Sequence, residues 1–93
     1  MSVDVEAARL LIYDGAWKAD RGEEYTLEAP RAKLFASEMV QRVASRALQV
    51  FGGYGFLRDY PMERYCRQAR LWEIVEGTSE IQRMIIARGL GLK

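Results

Sequence analysis

Histidine is absent, cysteine occurs once and proline twice. With no imidazole and a single thiol, a zinc site of thiolate and imidazole ligands is excluded within one chain, and Cys66 has no partner for an internal disulfide. No apolar run approaches the roughly 20 residues of a membrane-spanning helix, so no membrane partner is expected. Charge of one sign is lacking too, with 14 Lys and Arg against 13 Asp and Glu. That balance offers no broad footprint for a phosphate backbone, which argues against a nucleic-acid partner. The opening MSVDVEAARL is acidic where a signal peptide needs a basic segment and an apolar core, so a cytoplasmic protein is expected.

What is present is 93 residues with a 49% apolar share, enough for one domain over 1–93 and too little for two independent cores. A compact monomer of this size exposes about 5,500 Å². Its core is adequate without being large, which favours burial against a partner.

Four stretches have helical periodicity. Val5, Ala8, Leu11, Ile12 and Ala16 share one face of a first helix, from about Val3 to Asp20, which Gly22 is placed to end. A second begins near Thr26 or just after, with Pro30 in its first turn, and carries the stripe Phe35, Ala36, Met39, Val40, Val43, Ala44, Ala47, Val50 and Phe51. The glycines of GGYGF stop it. Pro61 opens a third helix with the stripe Met62, Tyr65, Ala69, Trp72 and Val75, ended by Gly77. Thr78 or Ser79 caps a fourth, Ser79 and Gln82 having the spacing of a reciprocal capping box. Its predicted inner face is Ile81, Met84, Ile85 and Arg88. These helices predict an all-α bundle, with enough additional apolar residues to suggest burial on more than one side.

Three places invite chemistry. Glu76 closes the apolar segment WEIVE at a junction between helices, where partial burial would make its carboxylate a stronger base and the next helix's amino end would oppose that. An ordinary helix-terminal carboxylate is the plainer reading. Thr78, Ser79 and Glu80 surround the free N–H groups of the last helix, a place for an anion or for cofactor heteroatoms, although capping explains the same residues. The glycine-rich QVFGGYGF follows a helix, unlike a dinucleotide fingerprint, and lacks the lysine and hydroxyl pair of a P-loop. Its bare backbone lets a ligand approach, while the alternative is a turn with Tyr54 and Phe56 packed back on the bundle. Arg67, Arg70 and Arg83 read as structural or paired, and Tyr13, Trp17 and Trp72 as core or interface aromatics.

Taken together, EAARLLIYDGAW, AKLFASEMVQRVASRALQVFGGYGF, YPMERYCRQARL and IVEGTSEIQRMIIARGL resemble the C-terminal helical domain of the FAD-dependent acyl-CoA dehydrogenases, over about nine tenths of the chain. The resemblance implies a four-helix up-down bundle, the family's domain without its first helix. It also implies a reaction in which a carboxylate removes the α proton of an acyl-CoA thioester while the β hydrogen leaves as hydride to the flavin. Glu76 matches the base, and Gly77 the position beside the thioester. Thr78 and Glu80 match contacts to FAD, and Gln49, Val50, Phe51, Gly52 and Gly53 match the strip that reaches the neighbouring subunit's FAD. A homo-oligomer, dimer or tetramer, is implied. Family members are about four times as long, and their missing domains supply most of the substrate pocket and much of the flavin site, so the chain alone is expected to be inactive and not to bind FAD. Two other expectations stand beside this one: a subunit completed by a separately encoded partner carrying the missing domains, or a non-catalytic oligomeric interaction protein.

Overall fold

The computed structural model describes residues 1–92, all helix, turn and coil. Helix α1 covers Ser2–Asp20, α2 Glu28–Phe51, α3 Met62–Leu71 and α4 Ser79–Gly89, with a 3-10 turn at Gly52–Phe56 between α2 and α3. The fold is the all-α, four-helix arrangement expected.

Local chemistry sets the ends. At the close of α1 the Gly22 amide donates to the Ala19 carbonyl and the Glu23 amide to that of Lys18, the paired bonds of a Schellman ending, with Gly22 at φ +74°. Gly52 leaves α2 at φ +63°. Gly55 is required for another reason: a β-carbon there would stand 2.9 Å from the Leu48 carbonyl oxygen. Tyr54 and Phe56 do not pack back on the helices. Both are exposed, and Tyr54 meets Tyr60 edge-on, as Phe51 does. The third helix stops at Leu71 rather than at Gly77. Trp72 and Val75 therefore leave the expected stripe, and residues 72–78 form a tight connection to α4.

Helix α2 is the spine. Each of α1, α3 and α4 packs on it, and among the described residues these three do not pack on one another. Close approach rests on small residues: Ala8, Ala32, Ala44 and Ala69 are buried, with Met39 the one large apolar side chain buried among the described residues, and the Cys66 thiol donates to the Ala44 carbonyl at 3.3 Å. Ion pairs tie the outer helices on, Lys18 to Glu28 at 2.8 Å and Arg83 to Glu38 at 2.8 Å. Arg67 and Arg70 pair with Glu63 and Glu73, in keeping with their structural reading.

Two helices are rotated from the expected setting. The covered side of α1 is Asp4, Ala8, Leu11, Gly15 and Lys18, while Val5, Ile12 and Ala16 face outward. On α4 the covered side is Ser79, Gln82 and Ile86, leaving Ile81, Met84 and Ile85 exposed. In both cases the smaller or more polar face gives the close fit to α2, and the larger apolar side chains are turned out. Tyr13, Trp17 and Trp72 are all at least half exposed, so none is a core residue.

The consequence is an open molecule. It exposes 6821 Å², about 1,300 Å² more than a compact monomer of its mass. Its radius of gyration is 15.6 Å, against about 12 Å for a compact chain of this length. Among the described residues no helix is long and apolar enough to cross a membrane, and no group of acidic or cysteine side chains could hold a metal ion.

Candidate functional site

Glu76 is the one non-glycine residue with positive φ among those described, at +57°. A side chain in the left-handed region costs energy, and such residues persist where the surroundings over-determine them. Gly77 follows at φ +92°, so two successive residues turn the chain sharply into α4. The Glu76 side chain is exposed, and no side chain among the described residues bonds or pairs with its carboxylate. It is an exposed carboxylate at the surface of this chain, not a buried ion-paired one.

Three groups hold that turn from below. The Lys33 ammonium donates to the carbonyls of Trp72 at 2.7 Å and Gly77 at 2.6 Å. The Gln82 side-chain amide lies 3.4 Å from the carbonyls of both Glu76 and Gly77. The Ser79 amide donates to the Glu73 carbonyl at 3.1 Å. Neither Lys33 nor Gln82 was among the expected site residues. The available signal for Lys33 was its position, one helical turn before Ala36 and Ser37 on the apolar side of α2.

Thr78 is the cap of α4. Its hydroxyl oxygen accepts from the Ile81 amide at 3.2 Å, the first half of a capping arrangement. The expected box between Ser79 and Gln82 does not form, because Ser79 is already inside the helix and Gln82 points back at the Glu76–Gly77 carbonyls. The Ser79 hydroxyl is buried and unpaired. Glu80 is exposed beside the helix start, and Thr78 and Gly77 are half-buried.

Gln49, Val50, Phe51, Gly52 and Gly53 form an exposed strip at the far end of α2. A β-carbon on Gly52 or Gly53 would meet nothing within 4 Å, so these glycines leave bare backbone open to a ligand from outside the chain. The strip and the Glu76 turn are not brought together. Gly77 sits against Lys33, and Gln49 is sixteen residues further along the same helix, about 24 Å away by helical rise. The two segments thus lie well apart along α2. Between α2 and α3 runs a separate apolar groove of about 270 Å³, walled by Val40, Val43, Ala47, Met62, Tyr65 and Trp72.

Comparison with known proteins identifies this arrangement. Residues 1–91 match the family model of the acyl-CoA dehydrogenase C-terminal domain. The short-chain-specific acyl-CoA dehydrogenase of Clostridium acetobutylicum is 47% identical over 87 residues, covering 94% of this chain and 23% of its own. The cyclohexane-1-carbonyl-CoA dehydrogenase of Geobacter metallireducens is 50% identical over 84 residues, covering 90% and 22%. Among solved structures, butyryl-CoA dehydrogenase of Megasphaera elsdenii superposes with a TM-score of 0.94 at 42% identity, over 97% of this chain and 24% of that one. The FAD complex of PigA gives 0.96 at 34% identity, over 99% and 24%. The chain thus spans about a quarter of the length of the relatives it matches. Over that quarter, sequence and fold agree: the chain belongs to the acyl-CoA dehydrogenase family, as its C-terminal helical domain.

Proposed function

We propose that this chain supplies the proton-abstracting carboxylate and part of the flavin contacts of an acyl-CoA dehydrogenase, and that it acts only when the remaining domains are present. The observation that carries the reading is Glu76: an exposed, unpaired carboxylate on a left-handed residue whose turn is held by three separate hydrogen-bonding groups. A geometry that costs conformational energy and leaves its carboxylate free is what a positioned general base needs.

In this reading Glu76 takes the α proton of an acyl thioester lying beside Gly77, on the side of the turn away from Gln82. FAD, when bound, accepts the β hydrogen as hydride. The chain's own residues fit such a group at two places. Thr78 and Glu80, at the amino end of α4, offer a hydroxyl and unsatisfied N–H groups to ring heteroatoms. Gln49 to Gly53 offer open backbone to a second flavin, because 24 Å or so is too far for one ring to touch both places.

That separation, with about 1,300 Å² of excess surface, supports association as a dimer or higher oligomer. A stable interface takes about 800 Å² from each partner. The outward-facing Ile12, Trp17, Ile81 and Ile85 are the surface it would cover. A separately encoded subunit carrying the missing domains is the second reading, favoured by the same separation.

The test is complementation. The chain with FAD and butyryl-CoA should give no flavin reduction. Mixed or co-expressed with the Clostridium acetobutylicum relative lacking its last quarter, it should restore anaerobic bleaching of the flavin. Failure of the assembled, flavin-loaded pair to reduce flavin with butyryl-, octanoyl- or cyclohexanecarbonyl-CoA would count against the reading.

A further inference from the structure

A lysine on the apolar side of a helix must carry its charge to water or to an acceptor. Lys33 shares one groove of α2 with Ala36, Val40 and Trp72, and it takes its charge to the backbone. The acceptors are the carbonyls of Trp72 and Gly77, at 2.7 and 2.6 Å. These lie at the two ends of the short segment that carries Glu76, so a single ammonium closes the segment into a loop and fastens it to the spine.

The other bonds at the turn do less. Both contacts from Gln82 are 3.4 Å long, near the limit for a hydrogen bond, and come from a neutral amide. The bond from the Ser79 amide to the Glu73 carbonyl fixes the entry to α4 but touches neither Glu76 nor Gly77. Bonds from a charged donor are shorter and about twice as strong as neutral ones. Without them, Glu76 gains by rotating out of the left-handed region, and Gly77 is free to follow.

We propose that Lys33 is the positioning residue of the Glu76 turn, its ammonium joining the Trp72 and Gly77 carbonyls so that Glu76 keeps its left-handed backbone and its outward carboxylate. The use of that carboxylate as a base rests on the function proposed above; the holding of the turn does not.

The experiment uses the whole chain, labelled for NMR. A positive φ brings the amide and α hydrogens of one residue close together, so Glu76 should give a strong intraresidue cross-peak between them. Lys33→Met should lose that cross-peak and speed exchange of the Ile74, Val75 and Ser79 amides about tenfold or more, with the amides of α1 unchanged. Lys33→Arg, which keeps a charged donor, should restore both. If Lys33→Met does not fold, Lys33→Gln, with a shorter neutral donor, should weaken the same signals in the same place. A Glu76 cross-peak and slow exchange unchanged in the Met or Gln variant would overturn the proposal, as would loosening spread equally over α1. Glu76→Gln should keep the cross-peak in either case, so the failure of the base assignment and the failure of this one are told apart.

Discussion

The side-chain amide of Gln82 occupies the space that a β-carbon on Gly77 would fill: that carbon would lie 2.5 Å from the Gln82 nitrogen. The same amide faces the carbonyls of Glu76 and Gly77. Gly77→Ala therefore has two costs, an alanine at φ +92° and a displaced Gln82. A loss of roughly 1–3 kcal/mol in urea unfolding is expected. Gly53→Ala is the control, since nothing lies within 4 Å of its β-carbon position, and it should be neutral within about 0.5 kcal/mol. Equal effects at the two glycines would contradict the geometry.

Capping gives a second contrast. Thr78→Ala removes the acceptor of the Ile81 amide and should cost about 1 kcal/mol. Ser79→Ala removes a buried hydroxyl that has no partner, so it should be neutral or stabilising. Thermal unfolding of both variants checks this, and a larger loss at Ser79 would restore the box between Ser79 and Gln82.

The acid limb of stability should involve Glu28 and Glu63. The hydrogen bond from Lys18 holds the Glu28 carboxyl below its ordinary value of 4.5, and that from Arg67 does the same for Glu63. A lowered folded-state value means stability that is present above 4.5 and lost as pH falls through it toward the folded-state value. Lys18 is raised above 10.5, chiefly by its bond to Glu28, so its share is present below that value and lost as pH rises past the folded-state one. All three groups are near the surface, so the steps should be small and weakened by salt. Glu28→Gln should flatten part of the acid limb in a series of melting curves, and an unchanged limb would remove Glu28 from the account.

The outward apolar faces predict association. Sedimentation at low micromolar concentration should give a species larger than the 10.7 kDa monomer. Ile85→Arg or Ile12→Arg should shift it toward monomer without loss of helical signal, because neither side chain is buried within one copy. A wild-type chain that sediments only as a monomer would show that these faces are tolerated in water.

How much of this was legible in the sequence depended on how one-sided each pattern was. The ends of α1 and α2 followed from Gly22 and Gly52, whose positive φ is the property that marks them in a sequence. The facing of α1 and α4 did not follow, because both carry apolar residues on more than one side and the larger set pointed to a core this chain does not have. Ile81, Met84 and Ile85 look like an inner face until Ser79 and Gln82 are seen beneath them. That Thr78 caps the last helix directly after the Glu76–Gly77 junction was legible. The support of that junction was not: Lys33 lies in the second turn of α2, 44 residues from Gly77 in sequence, and only the fold brings it under the Gly77 carbonyl.

The most direct measurement is flavin reduction in the completed assembly, wild type against Glu76→Gln, mixed anaerobically with butyryl-CoA. The amide keeps the shape of the side chain and cannot accept a proton. The variant should retain bound flavin and lose its reduction by several orders of magnitude, while Glu80→Gln, at another exposed carboxylate four residues on, should keep a reduced but measurable rate. Full-rate bleaching in the Glu76→Gln assembly would contradict this, since the α proton would then be leaving to some other base.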